Sequence, residues 1–155
     1  MEGRLEHFYI GAGVGCGKTC LTSFDEALMR AGVGNYNLLR VSSILPAGCI
    51  EVKRVSLTEG NPLYIAYASI TSNIPNDYIA AAISVGIPDD DTKVGVIMEF
   101  SAHCRKKDAI TAAEAMVLEA MGKRKSRVKQ ILTQACETIS NGECYSTAFS
   151  GIAMW

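Results

Sequence analysis

Two stretches of this chain carry residues whose types and spacing could do chemistry. The first is Ala12-Gly13-Val14-Gly15-Cys16-Gly17-Lys18-Thr19. Glycines that lead into Lys-Thr read as a phosphate loop. Backbone N–H groups cradle phosphate oxygens, the lysine reaches the outer phosphates, and the threonine hydroxyl binds magnesium. The second is Asn35-Tyr36-Asn37-Leu38-Leu39-Arg40-Val41-Ser42-Ser43-Ile44-Leu45-Pro46, an apolar run that ends in adjacent serines shortly before a proline. A serine hydroxyl there can attack the preceding carbonyl, turn the amide into an ester and cut the chain. The cut can leave a carbonyl cofactor made from the protein itself. A Ser-Ser pair alone usually means a turn or a cap, so the context decides.

The elements that must position these residues can be read from hydropathy. His7 to Ile10 reads as a strand entering a glycine-rich loop, Gly11 to Gly17. Ser23 or Thr22 caps a helix over Phe24 to Ala31, and Gly32 and Gly34 end it. Tyr36 to Val41 and Ile50 to Val55 read as strands, and Leu57 to Pro62 as a loop. Leu63 to Ser72, Tyr78 to Ile87 and Lys93 to Phe100 are further strands, with turns at Asn73 to Asp77 and Pro88 to Asp91. Lys106 to Gly122 is the clearest helix, with Ile110, Ala113, Met116, Val117, Ala120 and Met121 at helical spacing. Lys123 to Lys129 is a basic connector. Val128 to Thr138 and Cys144 to Trp155 are strands on either side of a tight turn at Asn141-Gly142. Strands dominate, with one early and one late helix, so a layered α+β sheet protein is expected.

That order weakens the phosphate loop. A parallel nucleotide-binding sheet needs regular strand–helix alternation, and this chain lacks it. The first glycine of the pattern is Ala12, and the acidic magnesium partner at a second strand end has only Glu99 as a candidate. A small P-loop nucleotide-binding protein using Gly13 to Thr19 remains the alternative reading of the residues. Its plain counterpart is a glycine-rich turn between strand and helix.

The totals narrow the classes. The 155 residues suit one domain, 1–155, with a core that needs no staple. The net charge of −1 offers no field for nucleic acid. No apolar run approaches the ~18 residues of a membrane span, and Met1 to His7 has no secretory core. A soluble cytoplasmic protein with neither nucleic-acid nor membrane partners is expected. Six cysteines, at 16, 20, 49, 104, 136 and 144, are irregularly spaced and read as reduced thiols. His103-Cys104 is the only local pair of metal-ligating residues, so no metal site is expected. His103 reads as a surface residue beside Arg105, Lys106 and Lys107.

The longer pattern is more specific. Phe24-Asp25-x-Ala27-Leu28-x-x-Ala31-Gly32-x-Gly34-Asn35-x-Asn37-Leu38-x-Arg40-x-Ser42-Ser43-Ile44-x-Pro46 resembles the pyruvoyl-dependent arginine decarboxylases. So do Ala81-Ala82-Ile83-Ser84-Val85-x-Ile87-Pro88, the Gly95-x-Ile97-Met98-Glu99 run with Cys104-x-Lys106-Lys107 after it, and the ending Ala153-Met154-Trp155. The likeness is colinear from about residue 8 to the C-terminus. It implies a four-layer α-β-β-α sandwich assembled as a homotrimer of cleaved protomers, with a hexamer as the larger alternative and active sites between subunits. It gives Gly11 to Thr19 no nucleotide role.

The resemblance also implies the chemistry. Ser43 Oγ attacks the Ser42 carbonyl, elimination breaks the ester, and loss of ammonia leaves a pyruvoyl group at position 43. No metal and no PLP are involved. The chains are then 1–42 and 43–155. L-arginine binds as a Schiff base, loses CO2 and leaves as agmatine, a step of polyamine synthesis. Glu99 matches the proton donor, with burial keeping its carboxyl protonated. Asp25, read as a first-turn residue, matches the guanidinium ligand. Asn37 and Ser42 match polar site residues at the cut, and Gly34 and Tyr36 line the pocket. Tyr36 stands where the family pattern has a smaller aliphatic residue.

Overall fold

The structure is a computed structural model and describes residues 3–155. The reading of the charged N-terminus rests partly on Met1 and Glu2, which lie outside the described residues.

The elements run β1 (His7–Gly17), α1 (Cys20–Arg30), β2 (Asn37–Arg40), β3 (Ile44–Leu45), β4 (Ile50–Glu51), β5 (Pro62–Ser72), β6 (Asp77–Pro88), β7 (Gly95–Ala102), α2 (Lys106–Lys123), β8 (Val128–Ser140) and β9 (Tyr145–Met154). Over the described residues the fold is α+β with two sheets and two helices. One sheet has the order β2-β5-β9-β1-β4 and the other β3-β7-β6-β8. β2 and β3 are therefore edge strands of different sheets.

Strand alternation builds the core. Phe8, Ala66, Ile152 and Met154 from the first sheet meet Leu45, Ile83, Val85 and Ile97 from the second. The opposite face of the first sheet takes α1: Ala27, Leu28 and Ala31 pack with Leu63, Ile65, Phe149 and Ala153. The opposite face of the second takes α2, where Ala109 and Ala113 lie on Ala80 and Ala82, and Val117 and Met121 on Val96. Alanines on both sides let helix and strand approach closely. Each fully buried Val, Ile or Met adds about 1.5–3 kcal/mol of transfer free energy.

The segment read as a loop, Gly11 to Gly17, is instead the second half of β1, paired with β9 from Gly11↔Gly151 to Gly17↔Tyr145. Its glycines recur every second residue, so all face one side, and α1 lies on that side. A methyl group at Gly13 would sit 2.6 Å from Ala27 O, and one at Gly11 2.5 Å from Ala31 O. Glycine is there because backbone meets backbone.

The helix also begins earlier than Phe24. Thr19, rather than Ser23 or Thr22, is its N-cap: Thr19 Oγ1 accepts from Thr22 N–H, and Thr22 Oγ1 accepts from Thr19 N–H, each at 3.1 Å. Asp25 accordingly lies in the second turn, not the first. The strand expected from Ile50 to Val55 stops at Glu51, because Val55 and Leu57 turn in to pack on the α1 cluster.

Cys16 and Cys144 form a disulfide, which corrects the reading of six reduced thiols. The β1–β9 register brings residues 128 apart in sequence together at one end of the ladder, beside the Asn141-Gly142 turn. Spacing along the chain could not reveal that. Cys20, Cys49, Cys104 and Cys136 are free. His103 is exposed as expected, but its partner is Asp77, at 2.8 Å.

α2 has no side-chain cap of its own. Glu137 of β8 supplies one, accepting from Lys106 N–H at 2.6 Å and from Arg105 Nε at 3.1 Å. Those two donors, Arg105 first, hold the Glu137 carboxyl down at about 2. Among the described residues no helix is long and apolar enough to cross a membrane.

Candidate active site

Ser42 and Ser43 lie where the chain leaves one sheet for the other. β2 pairs in parallel with β5 up to Arg40↔Ile65, and Val41 N–H still donates to Ile65 O at 3.0 Å. β3 pairs with β7 from Ile44↔Val96. Between them the Ser43 carbonyl accepts from Ile97 N–H at 2.8 Å. The amide joining the serines is different: among the described residues, Ser42 O and Ser43 N take part in no hydrogen bond. Ser42 is exposed and Ser43 half-buried. The Ser42–Ser43 amide is thus outside both ladders while the next carbonyl is anchored.

β7 sets the direction of Glu99. Val96 and Met98 pack under α2 with Phe100. Ile97 enters the core between the sheets, so Glu99 and Ser101 face the same way by strand alternation. Ser101 Oγ donates to Ser69 O of β5 at 3.2 Å. Glu99 rims a cleft of about 320 Å³ at the mouth of the two sheets, with Arg40, Tyr67, Ser69 and Ser101. It is not sealed in apolar surroundings. Its side chain keeps 35% of its exposure and meets the Arg40 guanidinium, Nη2 to Oε1, at 2.9 Å. Arg40 also donates to Tyr67 O at 3.0 Å and lies over the Tyr67 ring at 4.3 Å.

A second group gathers at the end of α1. Gly34 and Tyr36 line a pocket of about 250 Å³ with Met29, Gly32, Asn35 and Glu59. The Tyr36 hydroxyl donates to Leu57 O at 3.1 Å, which points the ring inward rather than leaving it as a loose replacement. Asp25 is exposed one helical turn before Met29, on the same face. Its neighbour Glu26 is engaged instead, by Cys16 N–H and Arg30, which hold its carboxyl below the usual range. Asn37 opens β2 and donates to Gly60 O at 2.7 Å, so in this chain its amide fixes the β2 entry and not the Ser42 carbonyl.

Within one chain, Ser43 is held by Ile97, two residues before Glu99 on β7, and Gly34 and Tyr36 come together with Asp25 nearby. β2 separates the two groups. Sequence reading gave no role to Arg40, Tyr67 or Glu59. Arg40 sat inside the resemblance pattern, but nothing along the chain marks its pairing with a residue 59 positions away.

The phosphate-loop alternative fails on geometry. In an extended strand successive N–H groups point to opposite sides and cannot converge on one phosphate. Thr19, the would-be magnesium ligand, is spent as a helix cap, and Lys18 is exposed beyond the strand end.

Comparison with known proteins agrees with this outcome. The family described as pyruvoyl-dependent arginine decarboxylase matches residues 7–154. A protein of that name from Methanocaldococcus jannaschii is 38% identical over 147 residues, 93% of this chain and 86% of that protein. One from Methanococcus vannielii is 34% identical over 145 residues, 93% and 87% of the two chains. One from Thermococcus kodakarensis is 38% identical over 117 residues, 75% and 74%. With nearly the whole chain matched and the serine pair set between two sheets beside a carboxylate, the chain belongs to the pyruvoyl-dependent arginine decarboxylase family.

Proposed function

We propose that this protein cuts itself between Ser42 and Ser43 and decarboxylates L-arginine to agmatine and CO2. The observation that carries the reading is one edge of β7: Ile97 holds the Ser43 carbonyl, and Glu99 follows two residues later on the face that opens to the cleft.

Self-cleavage uses the chain's own atoms and one water molecule. Ser43 Oγ attacks the Ser42 carbonyl carbon, and the Ser43 nitrogen leaves it, so the amide becomes an ester. Elimination across the Cα–Cβ bond of residue 43 expels the Ser42 carboxylate and leaves a double bond. Tautomerisation to an imine and addition of water release ammonia and leave the pyruvoyl ketone. An amide free of the ladders can rotate through these steps, and the Ile97 hydrogen bond keeps residue 43 in place meanwhile. The serine at position 43 and the absence of ladder bonds on its amide fit this precursor role.

Once formed, the pyruvoyl group supplies an electron-accepting carbonyl for the electron pair left when CO2 departs. Glu99 receives a proton from the incoming substrate ammonium and returns it to the α-carbon after CO2 has left. Oε2 is the oxygen for this, since Oε1 is held by Arg40. Asp25 takes the substrate guanidinium as a bidentate partner. Gly34 and Tyr36 shape the channel for its methylenes. Ser42 stands at the cut end and contacts the substrate's polar head, and Asn37 holds the entry of β2 on the Gly34 and Tyr36 side.

The full reading is a cytoplasmic enzyme of one domain, in a four-layer α-β-β-α sandwich, cleaved into 1–42 and 43–155. The packing of α1 on one sheet and α2 on the other supports the layering. A homotrimer with sites between subunits is supported by the separation of the Asp25 and Glu99 groups within one chain. Exposed Met29, Leu39, Ile44 and Tyr64 near both groups support it too. The test is intact mass under denaturing, reducing conditions, beside Ser43→Ala, with CO2 release from L-arginine assayed on both. Two fragments meeting at 42/43 in the native chain, one full-length species in the variant, and CO2 only from the first are expected. A native chain that stays whole and releases no CO2 rejects the reading.

A further inference from the structure

We propose that Arg40 is a positioning residue, which holds the Glu99 carboxylate in the cleft and fastens the cut end of the 1–42 segment to it. The inference rests on the decarboxylase reading and goes beyond it, since that reading leaves Arg40 without a part.

The guanidinium is fixed on three sides. Nη2 donates to Tyr67 O at 3.0 Å and to Glu99 Oε1 at 2.9 Å, and the plane lies 4.3 Å from the centre of the Tyr67 ring. An exposed ion pair between two freely moving side chains contributes little. Here one partner is already held by a carbonyl and a ring, so less freedom is lost when the carboxylate docks. Glu99 gains a defined position for one oxygen, and the other is left to face substrate. Arg40 also stands just ahead of Ser42, on the short-chain side of the cut, whereas Tyr67 and Glu99 belong to the long chain. After cleavage the peptide bond no longer ties residue 42 to residue 43. The Arg40 contacts and the β2–β5 ladder then keep the new carboxyl terminus beside the site.

Three variants test this: Arg40→Gln, Arg40→Lys and Tyr67→Leu, each checked by mass for cleavage and then assayed for kcat and KM with L-arginine. All three should be cut at 42/43. Arg40→Gln should lose about 10- to 100-fold in kcat with KM within about twofold, the pattern of a misplaced catalytic group rather than a lost substrate contact. Lysine keeps the positive charge beside Glu99 but not the ring stacking, and should restore part of that loss. Tyr67→Leu keeps the Arg40 side chain, removes the ring beneath it together with that ring's contacts to Phe24 and Phe149, and should lower kcat about threefold. An Arg40→Gln kcat within twofold of the native value would overturn the proposal. So would a rise in KM alone, or folded Arg40 variants that stay uncut, which would put Arg40 in the cleavage step. If Arg40→Gln does not fold, Tyr67→Leu decides: an unchanged kcat sinks the idea. A native chain that is neither cut nor active rejects the decarboxylase reading itself, separately from Arg40.

Discussion

Gly11 to Thr19 and Arg40 to Ile44 both carry the chain out of a strand, and they use their backbones in opposite ways. In the first, the strand pairs with β9 along its length, and its glycines face a helix too close for any side chain. In the second, the ladder breaks for one amide, and the residues around it are anchored on both sides. The stretch with the louder motif is scaffold. The one with the plainer residues has the slack and the neighbouring carboxylate that chemistry needs. Side-chain types alone favour the wrong segment; the difference appears once each backbone group is assigned a partner.

The largest effect that would sharpen this contrast is on Glu99. Glu99→Gln keeps the shape and removes the proton carrier, so a fully cut enzyme should lose about 10²- to 10⁴-fold in kcat. A loss below tenfold would move the proton to another group. Next comes the glycine stripe. Gly13→Val drives a branched side chain into the Ala27 carbonyl and should lower stability by about 3 kcal/mol, read as a shifted urea midpoint. An unchanged midpoint would mean that α1 can lift off β1 at no cost.

A smaller effect comes from another glutamate–arginine pair. Glu137 meets Arg105 as Glu99 meets Arg40, but it also caps α2. Its folded pKa, about 2, lies below its ordinary value of 4.5. Its contribution is therefore present above about pH 4.5 and is lost as the pH falls toward 2. The melting temperature of Glu137→Gln should fall short of the native value at pH 7, and the gap should close at the acid end. A gap that does not vary with pH would make Glu137 a packing residue. The smallest effect is that of Lys18→Ala. It should leave stability within about 0.5 kcal/mol and agmatine formation unchanged, because Lys18 is exposed on the scaffold side of the comparison.

Much of the fold was legible. The α2 stripe, the turn at Asn141-Gly142 and the long strands β5 to β9 follow from periodicity and turn chemistry, which are local. β1 reads as a loop because a glycine every second residue has the composition of a loop, although its period is that of a strand. The start of α1 is hidden because Gly-Lys-Thr reads as a phosphate motif, which masks Thr19 as a helix cap. Ser43 and Glu99 are linked as one candidate site only by the colinear resemblance, since nothing local joins residues on different strands. Arg40, Tyr67 and the Cys16–Cys144 pair escaped for the same reason: each depends on register between strands far apart in sequence.

Cys16 lies ahead of the serine pair and Cys144 after it, so the disulfide spans the cut. A protomer divided at 42/43 would remain a single covalent molecule for as long as that bond stays oxidised. Without reductant it would migrate as one species whose mass differs from the precursor only by the chemistry at residue 43; with reductant it would separate in two. The bond makes the β1–α1–β2 segment undilutable. The short chain could not be lost on unfolding, and refolding of the mature protomer would be a one-body rather than a two-body event.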